Sequence, residues 1–323
     1  MQLSQAIRLA ALRPVGHDTR LSVVDHLEEL RTRLIVSLLA LVVAFGVCYS
    51  QRHQLLNVIN APLARQTQQQ VRAGHGPLGR TYSVQLSARD VAKQLDAVVG
   101  ALRSSTMSNG TRGVLAGVDR HLQRDIVRLS APPTGNAPVT LGIGEPFTTT
   151  VTVTLIFALI FVAPILLLQA YGFLAPGLEP GQRRRLAPIV YAVPVLFGVG
   201  VAFGYFVVLP AALHFLQGFD AGQFNVLVQA SRYYRFAATL LLAMGLLFEV
   251  PVAILGVTGA GLVTPGELSH NRRYAMLACG LVAAVLPGDP VTMMLETLPL
   301  YLLFELSVLI ARYRDRRAGH TRG

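Results

Sequence analysis

Residues 25–50, DHLEELRTRLIVSLLALVVAFGVCYS, set Asp25, His26, Glu28, Glu29, Arg31 and Arg33 directly in front of a run, Leu34 to Tyr49, that carries no charge. A run of that length approaches the ~20 apolar residues needed to cross a hydrocarbon core of about 30 Å. Similar runs recur at 147–173, 186–209, 236–257, 274–286 and 291–311, so the sequence predicts six spans. Composition agrees. The chain has 323 residues, is 52% hydrophobic and only 14% charged, with mean hydropathy +0.50, whereas a soluble domain carries about 25% charged residues. The predicted class is an all-α integral membrane protein. The first run does not read as a cleaved signal peptide, because a long polar-interrupted segment precedes it and no small-residue cleavage site follows Tyr49.

Orientation follows from arginines in short loops, which mark the cytoplasmic side. Arg8, Arg13, Arg20, Arg31 and Arg33 precede the first run, Arg183 to Arg185 follow the second, Arg272 and Arg273 precede the fifth, and Arg312, Arg314, Arg316 and Arg317 follow the sixth. Both termini are expected in the cytoplasm, and the basic loop after the first run is long enough to translocate regardless of charge. The net charge of +11 is then topogenic; no basic surface with an aromatic platform is visible, so nucleic acid is not an expected partner. Cys48 and Cys279 stand far apart inside apolar runs and read as packing residues. A single lysine, Lys93, lies outside any phosphate-binding loop, and no HExxH or GxSxG pattern occurs. Neither an enzyme nor a cofactor is expected.

Four segments emerge: 1–65, an amphipathic N-terminal segment with the first span; 66–140, an insert; 141–311, spans two to six; and a basic tail, 312–323. In the insert, Ala88, Val91, Leu95, Val98 and Leu102 recur at helical spacing, as do Leu115, Val118, Leu122, Ile126 and Leu129. Between them RSSTMSNGTRG supplies turn residues. An extracytoplasmic helical hairpin, its two stripes buried on each other, is the expected architecture.

As a helix, the opening stretch aligns Leu27, Leu30 and Leu34 in a stripe that can lie in the membrane interface before turning into the first span. Glu29 and Arg33 stand four apart in the favourable order. A solvated, self-neutralised helix entry explains these charges as well as a recognition site does. The wider sequence favours recognition. HLEELRTRL resembles the opening motif of the TatC family, the multispanning component of the twin-arginine protein translocase. NAPL (60–63, with Pro62), PILLLQAYGFLAPGL (164–178), FGYFVVLPAALHFL (203–216), FEVPVAI (248–254), LPGDP (286–290) and LPLYLLFEL (298–306) are similar to further motifs of that family, in the same order.

The resemblance implies six transmembrane helices in a curved, glove-like bundle that binds signal peptides carrying paired arginines on the cytoplasmic side of the bacterial plasma membrane. It implies single-span TatA- or TatB-type partners, membrane lipid, self-association, folded cargo and the proton-motive force as energy source. Carried onto this chain, it makes Glu29 the recognition carboxylate, since a carboxylate meets a guanidinium bidentately. Arg31 then shapes or neutralises the site, Glu28 adds negative charge, and Phe173 flanks the bound peptide. The family's glutamate before the loop arginines is here Gln182, within EPGQRRR, which loses the charge-assisted part of such a contact.

Glu249 is predicted about eight residues, hence about 12 Å, inside its span, and an acid at that depth is by default a functional candidate. It can be a structural acid bonded to a neighbour such as Gln169; the resemblance instead places it, with Gln169, in the polar floor of an intramembrane groove. Glu305 lies nearer the interface, and Glu296 has no counterpart in the family. The fifth run, at about 13 residues, is short for a bilayer. Asp289 and Pro62 are expected in extracytoplasmic turns. An ion-coupled secondary transporter would also use intramembrane acids, but the internal repeat expected of one is not visible.

Overall fold

The computed structural model describes residues 23–74, 76–103, 109–130, 138–174, 181–182, 189–219, 227–285 and 290–320. Their secondary structure is helical: α1 (Val23–Ser50), α2 (Arg52–Arg72), α3 (Gly76–Arg103), α4 (Asn109–Ser130), α5 (Glu145–Leu174), α6 (Val193–Phe203), a π turn (Gly204–Val208), α7 (Leu209–Gly218), α8 (Ala230–Leu247), α9 (Val250–Gly259), α10 (Pro265–His270), α11 (Arg272–Val285) and α12 (Pro290–His320). Two compact units result, one of Met1–Leu56, Phe147–Leu209 and Tyr234–Gly323, the other of Asn57–Pro146 and Pro210–Tyr233.

Among the described residues, five helical stretches are long and apolar enough to cross a membrane: Leu27–Ser50, Glu145–Phe173, Val193–Gly218, Ala230–Gly259 and Thr292–Arg314. The fifth expected run, 274–286, is helical as α11, but its 14 residues reach only about 21 Å and it is not among these five. The opening segment makes no turn into the first span. With neither Gly nor Pro between Val23 and Gly46, α1 runs unbroken, and the acids occupy its first turns. Leu34, Ile35, Leu38, Leu39, Val42 and Val43 are all more than half exposed. That band is stable only where the solvent is lipid.

In the first unit α9, α10 and α11 pack on α12. Elsewhere in the same unit two helices approach closely at small residues. A Cβ on Gly200 would lie 2.7 Å from the Phe248 Cβ, and one on Gly245 would lie 2.7 Å from the Phe197 ring. Gly200 and Gly204 form a small-xxx-small pair, which lets helix backbones meet in lipid, where van der Waals contact replaces the hydrophobic effect. The π turn has a local cause. Pro210 has no N–H, and in a regular helix its ring would strike the Phe206 carbonyl; the Leu209 N–H reaches back five residues to Gly204 O, which widens the helix just before it.

The second unit contains the insert. Helices α3 and α4 pack together, as the turn chemistry predicted, but with a different face of α3. Val91, Leu95, Val98 and Leu102 are 42–56% exposed, while Ala92, on another face, is buried. Polar bonds help to set this register: Gln123 donates to Asp96 at 2.7 Å and Gln85 to the Leu129 carbonyl at 3.2 Å. Pro62 is not in a turn. It is buried inside α2, a helix that the polar 52–72 sequence did not announce, beside Ile59, whose carbonyl accepts from Tyr233 Oη at 2.6 Å. At the start of α5, Glu145 accepts from the backbone of Leu141 and Ser231 and from the Gln229 amide.

Candidate functional site

The charged start of α1 is built around Arg33. Its Nε and Nη2 both donate to Glu29 Oε1, at 3.1 and 2.6 Å, and its Nη1 donates to Gln169 Oε1 on α5 at 3.0 Å. The guanidinium lies against Gly172, where a Cβ would collide with it. The glycine therefore makes room for an arginine that ties α1 to α5. Gln169 and Phe173 are one helical turn apart and share a face; Phe173 is half-buried there. Side-chain exposures of 27% for Arg33 and 18% for Glu29 leave the pair reachable yet screened from bulk water, where such bonds exceed a surface ion pair in strength. Arg33 engages one carboxylate oxygen only. Among the described residues Glu29 Oε2 carries no hydrogen bond.

The sequence candidates divide sharply here. Glu29 and Gln169 come together on Arg33, and Phe173 lies one helical turn beyond Gln169. Arg33, which sequence reasoning treated only as the helix partner of Glu29, is the hub; its i,i+4 spacing to Glu29 was the available signal. Arg31 is exposed, two residues from Glu29 and so on another side of α1. Glu28 is exposed as well, and its carbonyl accepts from Thr32 Oγ1 at 3.0 Å. Asp289 lies outside the described residues.

Gln182 has its own use. Its Nε2 donates at 2.8 Å to the carbonyl of Ala260, the residue that caps the C-terminus of α9, where helix carbonyls lack partners. A carboxylate cannot donate, so the amide is required for this contact. Gln182→Glu is expected to lower thermal stability in detergent by more than Gln182→Ala does. Alanine only forfeits a neutral bond worth about 0.5–1.5 kcal/mol, whereas glutamate also turns an anion onto a carbonyl. Equal melting temperatures for the two variants would mean that the bond is idle.

Glu249 sits at a break. It caps α9 at its N-terminus without a side-chain cap bond, with proline in the first turn, and Pro251 leaves the Leu247 carbonyl without its regular donor. The residue is 8% exposed, and both carboxylate oxygens are buried without a hydrogen-bond partner among the described residues. The structural acid bonded to Gln169 is therefore not formed; Gln169 instead accepts from Arg33 through its Oε1. Glu296 is 1% exposed. Glu305 accepts from Tyr301 Oη at 2.9 Å and pairs with Arg272 at 3.0 Å. At the N-terminus of α10, Thr264 and Glu267 form a reciprocal capping box, and the Thr264 backbone N–H holds the Glu267 carboxyl below its ordinary range.

Long apolar helices with a charged cradle at the head of the first one define a multi-pass membrane protein. Comparison with known proteins gives the family. The profile described as Sec-independent protein translocase protein (TatC) matches residues 25–299, and the chain belongs to the TatC family. It is similar to the Sec-independent protein translocase protein TatC of Escherichia coli K12, 34% identical over 200 residues that make up 60% of this chain and 78% of the relative. It is also similar to the protein of the same name from Magnetococcus marinus, 28% identical over 91% of this chain and 85% of the relative. Against the TatC of Halothiobacillus neapolitanus it is 35% identical, and the match spans only 50% of that relative's length. The fold matches a crystal structure of the twin arginine translocase receptor TatC in DDM, with TM-score 0.61, 24% identity, and coverage of 88% of this chain and 99% of that one.

Proposed function

We propose that this chain is the signal-peptide receptor and core scaffold of a twin-arginine translocase that exports folded proteins. The observation that carries this reading is the Glu29 carboxylate, fixed through Oε1 by Arg33 and, among the described residues, open at Oε2. An arginine of the signal peptide takes Oε2 through its guanidinium, which keeps its charge and its planar fork at every physiological pH. The Arg33 guanidinium, seated on Gln169 and Gly172, stays in place and holds the carboxylate for it. The apolar part of the peptide then follows Phe173 toward Glu249. Arg31 and Glu28, both exposed, adjust the charge that an approaching peptide meets. Arginines flanking the spans put both termini in the cytoplasm, and the membrane is the bacterial plasma membrane. Single-span TatA- or TatB-type subunits assemble on the bundle, and the proton-motive force supplies the energy. Support comes from the family, and from a structurally similar protein that is itself described as a translocase receptor. The names of the relatives lend nothing to an ion-coupled transporter.

The test is photocrosslinking of a twin-arginine peptide to membranes containing the chain. Glu29→Ala is expected to lose the crosslink while membrane insertion stays normal, because the topogenic arginines remain. An unchanged crosslink would overturn the assignment of Glu29.

A further inference from the structure

At the end of the last span, a cleft of about 290 Å³ opens between Arg272, Glu305, Leu306, Val308, Leu309 and Arg312. A second, of about 420 Å³, shares Leu309 and Arg312 with it and adds Ile310 and Tyr313. The charges do not balance. Arg272 pairs with Glu305, whose other oxygen is taken by Tyr301. Arg312 donates to the neutral hydroxyl of Ser269, and no carboxylate pairs with it among the described residues. One positive charge is thus left over, in a cleft whose other walls are apolar. The place is set by the span, which ends at Arg314, so the arginines stand at the depth of lipid headgroups. From the cleft an exposed stripe runs back along α12: Leu309, Leu306, Leu302 and Leu298, at 65%, 49%, 59% and 64% exposure. Spacings of three and four put all four on one face, over about 17 Å of helix.

We propose that this cleft binds the headgroup of an anionic phospholipid. The phosphodiester meets Arg312 with Arg272 at its side, and an acyl chain lies along Leu309, Leu306, Leu302 and Leu298. A guanidinium suits a phosphate oxygen by charge and by fork geometry, and basic pockets between membrane helices are fitted to anionic headgroups. Free phosphate offers the same anion but makes no use of the leucine stripe, and a zwitterionic lipid makes no use of the surplus charge. This site is independent of the signal-peptide reading and shares no residue with it.

The test is titration of the detergent-solubilised full chain, read by native mass spectrometry and thermal shift, with phosphatidylglycerol, phosphatidylcholine and inorganic phosphate as separate probes. Phosphatidylglycerol is expected to bind and to raise the melting temperature, with the other two at least tenfold weaker. Arg312→Gln is expected to weaken phosphatidylglycerol about ten- to a hundredfold, the range for losing a charge-assisted bond. Leu309→Glu, five residues from the end of the span and so within reach of the headgroup region, is expected to abolish binding by placing an anion in the cleft. Equal binding of phosphatidylcholine would reduce the site to an apolar groove, and equal binding of inorganic phosphate would make it a soluble-anion site. Indifference to Leu309→Glu would move the lipid elsewhere. Each of these three results overturns the proposal.

Discussion

Arg33→Ala is expected to weaken binding of a twin-arginine peptide by about ten- to a hundredfold, although on the proposed geometry Arg33 never touches the peptide. The reason is the cradle. Arg33 bonds Glu29 twice and Gln169 once, and a charge-assisted bond contributes about 1.5–3 kcal/mol, where 1.4 kcal/mol is a tenfold change in affinity. Without the guanidinium, Glu29 swings free among its rotamers and α1 loses a polar tie to α5. Arg33→Lys keeps the charge, but a single ammonium cannot reproduce the fork that reaches both Glu29 and Gln169, so an intermediate loss is expected. A structural role alone would lower affinity for every ligand equally. The distinguishing measurement is the preference for an Arg-Arg peptide over a Lys-Lys peptide: if Arg33 aims the carboxylate, that preference falls with affinity, and Arg33→Lys restores part of it. Tighter peptide binding in Arg33→Ala would invert the assignment and make Arg33 an internal competitor for Glu29.

The parts of this site that were legible in the sequence are those set by local geometry. Glu29 and Arg33 are four residues apart, and helical rise alone brings them together. That Arg33 would also reach Gln169, 136 positions away, depends on tertiary packing and on Gly172 lacking a side chain. The same difference explains Gln182. A missing acid was visible in EPGQRRR, but the carbonyl that the amide serves, Ala260, lies 78 positions away. In the insert, periodicity correctly announced two helices and then chose the wrong face of α3, because it registers where apolar side chains cluster and not which polar ones bond across; Asp96 with Gln123 ran against the pattern. Helix α2 escaped notice because its polar run of glutamines leaves no apolar periodicity to read and internal Pro62 argues against a helix, which tertiary packing around Ile59, Pro62 and Leu63 overrides.

Glu249 separates stability from function more sharply than any other position. Its carboxyl is buried at a helix break with neither oxygen hydrogen-bonded among the described residues, and burying a polar group without a partner is costly. Replacing it by leucine, of similar size, removes that cost. Glu249→Leu is therefore expected to stabilise the detergent-solubilised chain, by about 1–3 kcal/mol, while abolishing export of a twin-arginine cargo. On the proposed reading, the group that burdens the free chain is the one a docked peptide or partner helix would satisfy, and sites of function are where such local penalties persist. Glu249→Gln keeps the size and the hydrogen-bonding capacity without the ionisation, and is expected to retain most export. Melting curves and cargo export in a strain lacking its own translocase give both numbers for both variants. If leucine lowers the melting temperature, the carboxyl has an internal partner and its role is structural. If glutamine and leucine block export equally while crosslinking to partner subunits stays normal, ionisation itself is needed, and the hydrogen-bonding role proposed for Glu249 fails.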